Sequence, residues 1–467
     1  MSTTPDASAE KAIRAVTAGT LHRSTYCRSG SPSGFALSFR AVAIALQAAR
    51  FLGPVAIAWA ALATVGKRRI AMDHVARQLV ALLERLGPAF IKGGQILSTR
   101  RDMLPGTVCA CLSGLQDSVA PMSEQQAREA LTAIYGSALD TIFAEIDDQP
   151  IASGSIACVY KGRLKDGPEV AIKLQRSFIG NVMTTDLVLI TKIGAILARL
   201  PWFRGLPICA VLNHLCDAIY AQLDFAREAT HLVRLRDALS LVPRVWVPKL
   251  YKEASRDRAL VMEFIPELDT TQAERCSLAT RKRFAAGTLR AVYRMLFVDG
   301  LVHCDLHPGN LYFKPGGQVV VLDAGFSVLL TEEMRQLFAE FFLEMALGRG
   351  GRCADIVIES AVGRRVDADL DSFRLRLADL VNRNSGLPAQ EFSLIAFAAE
   401  MFDLQRKFGL HAAPELVFPL LSLLTIEGTV RCLDPDVDFQ EAAKPFLTQG
   451  IFQDRPVNLE FTETSSR

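Results

Sequence analysis

Short stretches of this 467-residue chain carry lysine, carboxylate and amide side chains at spacings that suit phosphate chemistry. In Val170-Ala171-Ile172-Lys173 a lysine ends an apolar, strand-like run, from which its ammonium can reach the α- and β-phosphates of a nucleotide. Just upstream, Pro150–Ala157 holds small side chains about its turn, so backbone N–H groups around Ala152, Ser153, Gly154 and Ser155 can approach phosphate oxygens closely. Glu228 is a carboxylate that a buried Lys173 would need as partner. The stretch His303-Cys304-Asp305-Leu306-His307-Pro308-Gly309-Asn310 follows. Its Asp305 can take a proton from an attacking hydroxyl or orient a water, and Asn310 can hold a metal ion. Thirteen residues later Asp323, after the apolar run Val319-Val320-Val321, can bridge Mg²⁺ to β- and γ-phosphates. Taken singly, each has a plainer reading. Lys173 could be an edge lysine in solvent, and Asp224 and Glu228, four apart, a solvated helix face. A zinc set of His303, Cys304 and His307 would leave Asp305, Asn310 and Asp323 without a role.

The elements that must position these residues follow from periodicity. Residues 70–100 carry apolar side chains at helical spacing (Val75, Leu79, Leu82, Leu86), with a break at Gly87-Pro88 and a second helix after it. Two strand-like runs, joined by the hairpin signal Lys165-Asp166-Gly167, bracket the small-residue loop and Lys173. A long helix is expected from about Leu212 to Leu239, strands again at 247–251 and 259–265, and mostly helix beyond 280. Met262-Glu263-Phe264 reads as the hinge whose backbone would meet an adenine. The order, a small β-rich lobe and then a larger helical one, predicts an α+β, bilobal protein-kinase-like fold. We divide the chain into an N-terminal segment 1–69, a helical extension 70–125, an N-lobe 126–265 and a helical C-lobe 266–467.

Composition narrows the function classes. A net charge of +2 gives no broad electrostatic attraction to nucleic acid, and none is expected as a partner. Ten scattered cysteines without a C-x-x-C pair fit reduced thiols in a cytoplasmic protein. The apolar run 51–66, interrupted by Pro54 and closed by Lys67-Arg68-Arg69, is too short for a membrane span. It reads either as a packed helix or as a segment lying on an anionic membrane surface. No other window approaches a span by this reading. Residues 30–34, Gly-Ser-Pro-Ser-Gly, are the clearest linker.

The catalytic stretch matches the H-R-D-L-x-P-x-N loop of protein kinases at its chemistry-bearing positions. The segment from Leu86 to Asp102, with Lys92, Gly94 and Gln95 followed by Leu115-Gln116-Asp117, resembles the K-x-G-Q signature of the UbiB/AarF family of atypical kinase-like proteins. The resemblance covers roughly residues 70–445. It implies that the extension folds over the active site, with Lys92 and Gln95 gating it, and that an alanine-rich loop replaces the glycine-rich one. It also implies ATP or ADP with Mg²⁺ as cofactors, and ATPase or small-molecule kinase activity supporting ubiquinone-type biosynthesis. The expected partners are an adenine nucleotide, a prenyl lipid or quinone precursor, a membrane surface and other biosynthetic enzymes. The expected location is cytoplasmic, peripheral to the inner membrane. A catalytically weak nucleotide- or lipid-binding scaffold is the alternative, and an ordinary Ser/Thr kinase a remoter one, since no Ala-Pro-Glu segment follows Asp323 at kinase spacing.

Three departures from the family pattern stand out. Gln222 occupies a position where a glutamate is usual, two before Asp224, so a pairing with Lys92 becomes a hydrogen bond. Ser153 and Gly154 interrupt the alanine run, which points to a more flexible phosphate loop. Ala324 replaces the bulky residue of Asp-Phe-Gly, so its packing role is expected to be lost.

Overall fold

The structure, a computed structural model, describes residues 33–64, 68–98, 106–115, 119–165, 167–199, 208–307, 309–365, 367–388 and 390–452. Of the sequence features singled out above, residues 30–32, Lys67, 99–102, Gln116, Asp117, Asp166 and Pro308 lie outside the described residues.

Helices lead. α1 (Gly34–Thr64) is followed by α2 (Arg68–Leu86), α3 (Pro88–Ser98) and α4 (Gly106–Leu112). The expected break is real: Gly87 takes φ +103°, open to glycine, and Pro88 starts α3, where its missing N–H is no loss. α3 packs on α2 and α4 at very short range. A Cβ on Gly94 would come within 2.4 Å of Leu115 Cδ1 and 2.8 Å of Leu83 Cδ1, so any side chain at the glycine of the K-x-G-Q segment would require both leucines to shift. α5 (Glu124–Tyr135) begins with a reciprocal capping box between Ser123 and Gln126. It lies against the outer face of the N-lobe sheet, where Leu131 and Tyr135 join Tyr160, Ile172 and Val261 in one core. The boundary expected at 125/126 therefore falls inside a helix of the N-lobe.

The N-lobe sheet runs β1 (Phe143–Ser153), β2 (Ala157–Leu164), β3 (Glu169–Gln175) and, after a helical insertion, β5 (Ala259–Glu263), all neighbours antiparallel. Gly167 at φ +108° closes the β2–β3 turn. The insertion holds α6 (Ile179–Leu197), α7 (Ile208–Ala221), α8 (Phe225–Leu239) and the short β4 (Val245–Trp246). The single helix expected over 212–239 is two. Asp224 accepts from the Arg227 N–H at 2.9 Å and caps α8, so the side chain that seemed to share a face with Glu228 instead starts its helix.

The C-lobe follows with α9 (Leu278–Tyr293), β6 (Leu301–His303), β7 (Leu311–Lys314), β8 (Gln318–Val321) and β9 (Ser327–Leu329). Then come α10 (Glu332–Ala346), α11 (Gly350–Glu359), β10 (Ala361–Arg364), α12 (Leu370–Asn384), α13 (Leu394–Phe408), β11 (Leu410–Ala412), α14 (Pro414–Leu433) and α15 (Phe439–Phe452). Glu427, buried on α14, accepts from the N–H groups of Leu394 and Ile395 and so holds the start of α13. One large core of aliphatic and phenylalanine side chains links these helices to the hairpin β7–β8 and the insertion helices.

The membrane-window expectation needs correction. Among the described residues three helices are long and apolar enough to cross a membrane, at Gly34–Phe51 of α1, Ile179–Ile196 of α6 and Leu416–Leu433 of α14. More than half of the α14 window is buried in the C-lobe, whereas in the α1 window Ile44 is the one fully buried residue and the rest are half-buried or exposed.

Candidate functional site

Lys173 on β3 is the centre of the site. Its strand is buried because β3 is central in the sheet, flanked by β2 and β5. Its Nζ donates to Glu228 Oε1 at 2.7 Å and to Asp323 Oδ2 at 2.8 Å. Lys173 is 13% exposed and Glu228 2%, while Asp323 keeps 37% of its side-chain surface open to the cleft. A cation is thus held from inside by a buried carboxylate and from outside by one that still faces solvent. Burial works against the charge on Lys173, but Asp323 and Glu228 outweigh it and hold its pKa above the ordinary lysine value. The Glu228 carboxyl is pushed up to about 7 by burial, with Lys173 opposing and Asp323 adding to the rise. For Asp323 burial is opposed by Lys173 and the Gly325 N–H, which leave it well below the usual carboxylate range.

A hairpin brings Asn310 and Asp323 together. β7 and β8 pair antiparallel with Leu311 opposite Val321, and the Leu322 N–H donates to the Asn310 carbonyl at 2.8 Å. The residues just outside both strand ends therefore meet at one end of the hairpin. Asp323 adopts φ +56°, a left-handed conformation rare for a non-glycine residue, stabilised by its Oδ1 accepting from the Gly325 N–H at 2.8 Å. Gly325 has to be small. A Cβ there would stand 3.0 Å from Asp323 Oδ1 and 3.2 Å from Glu228 Oε2.

The catalytic stretch is held by its own backbone. His303 Nε2 lies 3.0 Å from the Leu322 carbonyl and its Nδ1 accepts from the Asp305 N–H, so both ring nitrogens are engaged and the Nε2–H tautomer is the one that fits. His307 Nδ1 accepts from the Gly309 N–H. With these nitrogens occupied, and with no group of three or more His, Cys, Asp or Glu side chains placed to hold a metal among the described residues, the zinc set finds no support. Asn310 Nδ2 donates to the Asp305 carbonyl at 2.8 Å, which leaves Oδ1 as the atom that could hold a metal ion. Asp305 is half-exposed beside it.

The small-residue loop is fastened rather than flexible. Gly154 N–H donates to the Ala157 carbonyl, and Arg176 donates to Ser153 Oγ at 2.8 Å and to the Gly154 carbonyl at 2.9 Å. Arg176 also reaches the Ala120 carbonyl, and Ser153 Oγ donates to Val119, so the loop is tied to the segment before α5. Within it the buried Ser155 Oγ has no partner among the described residues. Ala152 sits in the β1 end of the same turn.

Of the hinge residues, Met262 is buried on β5, and the N–H groups of Glu263 and Phe264 are taken by the Lys249 and Glu169 carbonyls. The Glu263 carboxylate points away, to the Trp246 indole and the Lys249 N–H. Among the described residues the next N–H, on Ile265, has no intramolecular acceptor, and a ligand edge would meet it first. On α3, Gln95 Nε2 donates to the Leu115 carbonyl at 3.1 Å and Lys92 is half-buried one turn earlier. α3 packs on α7, at whose end Gln222 is half-buried, with Asp224 exposed as the α8 cap.

Two residues outside any motif support the site. Ser422 of α14 donates to the His303 carbonyl at 2.6 Å, and Phe418 packs edge-on against Phe326 at 5.4 Å. Ala324, in the place of the bulky residue of Asp-Phe-Gly, is itself buried. A lone serine within the apolar run Leu420–Leu424 was a readable signal, since a buried hydroxyl must find an acceptor. Arg176 carried none, because its acceptors are backbone groups distant in sequence.

Comparison with known proteins agrees with this arrangement. Residues 114–356 match the ABC1 atypical kinase-like domain and residues 377–438 the UbiB helical domain. The chain is 32% identical over 395 residues to the probable protein kinase UbiB of Aeromonas hydrophila, covering 83% of this chain and 72% of that one. It is 31% identical over 392 residues to that of Azotobacter vinelandii, covering 82% and 73%. The solved structure of Rv3197 with erythromycin, from Mycobacterium tuberculosis, superposes with a TM-score of 0.55 at 21% identity, over 80% of this chain and 96% of that one. That likeness shows the kinase-like fold, and the two domain matches with the relatives show that the chain belongs to the UbiB family of ABC1-type atypical kinase-like proteins.

Proposed function

We propose that the cleft binds a magnesium–adenine nucleotide, ATP or ADP, and that the protein transfers the terminal phosphoryl group of ATP to water or a small-molecule acceptor, in support of ubiquinone-type isoprenoid quinone synthesis. The observation that carries this is Lys173 held between Glu228 and Asp323, with Asn310 brought beside Asp323 by the β7–β8 hairpin. The donor set fits the ion: Asp323 and Asn310 Oδ1 are hard oxygen ligands on adjoining backbone, as magnesium requires. Bound there, the ion would neutralise charge on the phosphate oxygens. Lys173 then serves as the phosphate clamp and Glu228 as the group that holds its ammonium in register. The loop from Ala152 to Ser155 would meet the phosphates through its backbone, and Asp305 orients the attacking hydroxyl. Lys92, Gln95 and Gln222 shape the entrance from the side of α3 and α7.

We place the work at a membrane surface. α1 exposes Phe35, Phe39, Val42 and Leu46 along one face, and α6, which α1 touches, exposes Val182, Ile193 and Ile196. Exposed apolar stripes of this kind suit a lipid interface. The platform also supports the second reading, a nucleotide- or lipid-binding scaffold for biosynthetic enzymes.

Thermal unfolding with MgATP, MgADP, and each with EDTA tests the nucleotide site on which the enzyme reading depends. At a hundred times its dissociation constant a ligand stabilises by about 2.7 kcal/mol, on the order of 5–10 °C for a lobe of this size. A magnesium-dependent shift that Asp323→Asn abolishes is expected. Absence of any shift with either nucleotide would overturn the enzyme reading in favour of the scaffold.

A further inference from the structure

His307 has no part in the chemistry proposed above, yet its surroundings fix it closely. Its carbonyl accepts from the Asn310 N–H at 2.8 Å and the Leu311 N–H at 3.1 Å, which sets the turn into β7. Its ring folds back over that turn. A Cβ on Gly309 would stand 2.7 Å from the ring Cε1 and 2.9 Å from Nδ1, so the ring occupies space that a side chain at 309 would contest. The Gly309 N–H donates to Nδ1 at 2.9 Å. A ring nitrogen that accepts carries no proton, so the neutral ring holds its proton on Nε2.

That outer N–H meets a carboxylate. Asp305 Oδ2 lies 3.7 Å from Nε2, whereas Asn310 Nδ2, at 3.3 Å, is itself a donor and already serves the Asp305 carbonyl. At 3.7 Å the pair stands about half an ångström beyond hydrogen-bond range, and both side chains are half-exposed, so a small rotation can close the gap. Hydrogen bonds that serve catalysis are often long in an empty site and tighten when substrate binds.

We propose that His307 is a positioning residue for Asp305, acting as the neutral Nε2–H tautomer. Its N–H donates to Oδ2 when the cleft is loaded, which leaves Oδ1 turned to the attacking hydroxyl and ready to receive its proton. His307 keeps its own proton throughout. The assignment rests on the phosphoryl-transfer reading above, in which Asp305 orients the attacking group.

Two amides separate the two ring contacts. Glutamine can place an N–H where Nε2 stands, while asparagine can replace the Nδ1 acceptor but does not reach Asp305. MgATP turnover of the full chain is measured for the unaltered protein and for His307→Gln, His307→Asn and His307→Ala. The alanine and asparagine variants are expected to lose about 10- to 100-fold in kcat with KM for ATP within about threefold, and the glutamine variant to stay within about fivefold of the unaltered protein. In an Asp305→Asn background, His307→Ala should cost less than about twofold more.

Unchanged kcat in His307→Ala, rescue by asparagine but not glutamine, or losses that multiply in the double variant would overturn the assignment and leave His307 a brace for the turn. No turnover by the unaltered protein would instead overturn the reading on which the assignment rests. The tautomer is read apart from turnover, by long-range ¹H–¹⁵N NMR of the histidine-labelled full chain at about pH 8, where imidazoles are neutral. A proton on Nε2 of His307 is expected. A proton on Nδ1 would overturn the assignment whether or not the protein turns over ATP.

Discussion

At the scale of single residues, the decisive feature is a buried carboxylate with a raised pKa next to a lysine that cannot give up its charge. Glu228 in the folded protein holds a proton up to about pH 7, whereas in the unfolded chain it releases it near 4.5. Between those values the folded state binds more protons, so stability attributable to Glu228 is fully present below about 4.5 and is lost as pH rises through about 7. Glu228→Gln should flatten this part of the stability profile by on the order of 1–3 kcal/mol, read from unfolding midpoints between pH 4.5 and 7. If the variant and the unaltered protein fall in parallel, Glu228 is not the titrating group. Removing the cation is harsher. Lys173→Met leaves Glu228 buried without its partner and should cost about 3–5 kcal/mol, with loss of nucleotide binding as well. Unchanged stability in denaturant titration would mean the carboxylate had been neutral throughout.

Elements hold these residues in place through contacts that no motif contains. Ser422 reaches from α14 across 119 residues to the His303 carbonyl, so the helical domain braces the catalytic stretch directly. Ser422→Ala should lower turnover while leaving nucleotide affinity within about twofold, and cost about 1–2 kcal/mol of stability. A change confined to affinity would contradict a bracing role. The loop clamp works in the opposite sense. Arg176→Met releases Ser153 and Gly154 and should weaken nucleotide binding about tenfold, or 1.4 kcal/mol. α3 depends on a bare backbone at Gly94, and Gly94→Ala should destabilise by about 1–3 kcal/mol through overpacking against Leu83 and Leu115. Chemical denaturation measures it, and a neutral result would show that the leucines can step aside.

Across the whole molecule, one ion pair fastens the N-terminal helix. Arg40 of α1 makes a two-pronged contact with Asp186 of α6, at 2.6 and 2.9 Å, and Asp186 is completely buried. Burial raises the pKa of Asp186, and Arg40 opposes the rise. Arg40→Ala leaves a buried charge unpaired, so α1 should detach and hydrogen exchange within 34–50 should quicken by at least tenfold. Adding Asp186→Leu to Arg40→Leu should recover much of the lost stability, because an apolar pair tolerates burial. Protection that persists in Arg40→Ala would assign the docking of α1 to the small cluster of Ile44, Leu82, Leu86 and Leu189 instead.

The sequence by itself determined the two-lobed plan and the order of the residues that could carry phosphate chemistry. Lys173, Asp305, Asn310 and Asp323 sit in short strand-and-turn segments whose spacing is local: the 13 residues from Asn310 to Asp323 are one hairpin, and a hairpin's register follows from its own turn. Gly87-Pro88 and the β2–β3 turn were legible for the same reason. The tertiary structure decided everything that needed a distant partner. Lys173 meets Asp323 across 150 residues. Asp224 became a cap rather than a face, because capping depends on where the next N–H groups point. The small-residue loop turned out to be clamped, since Arg176 finds its acceptors only after folding. The apolar length of α6 and α14 was already present in the sequence, although no span was expected there; how much of each helix is covered is a property of the whole fold.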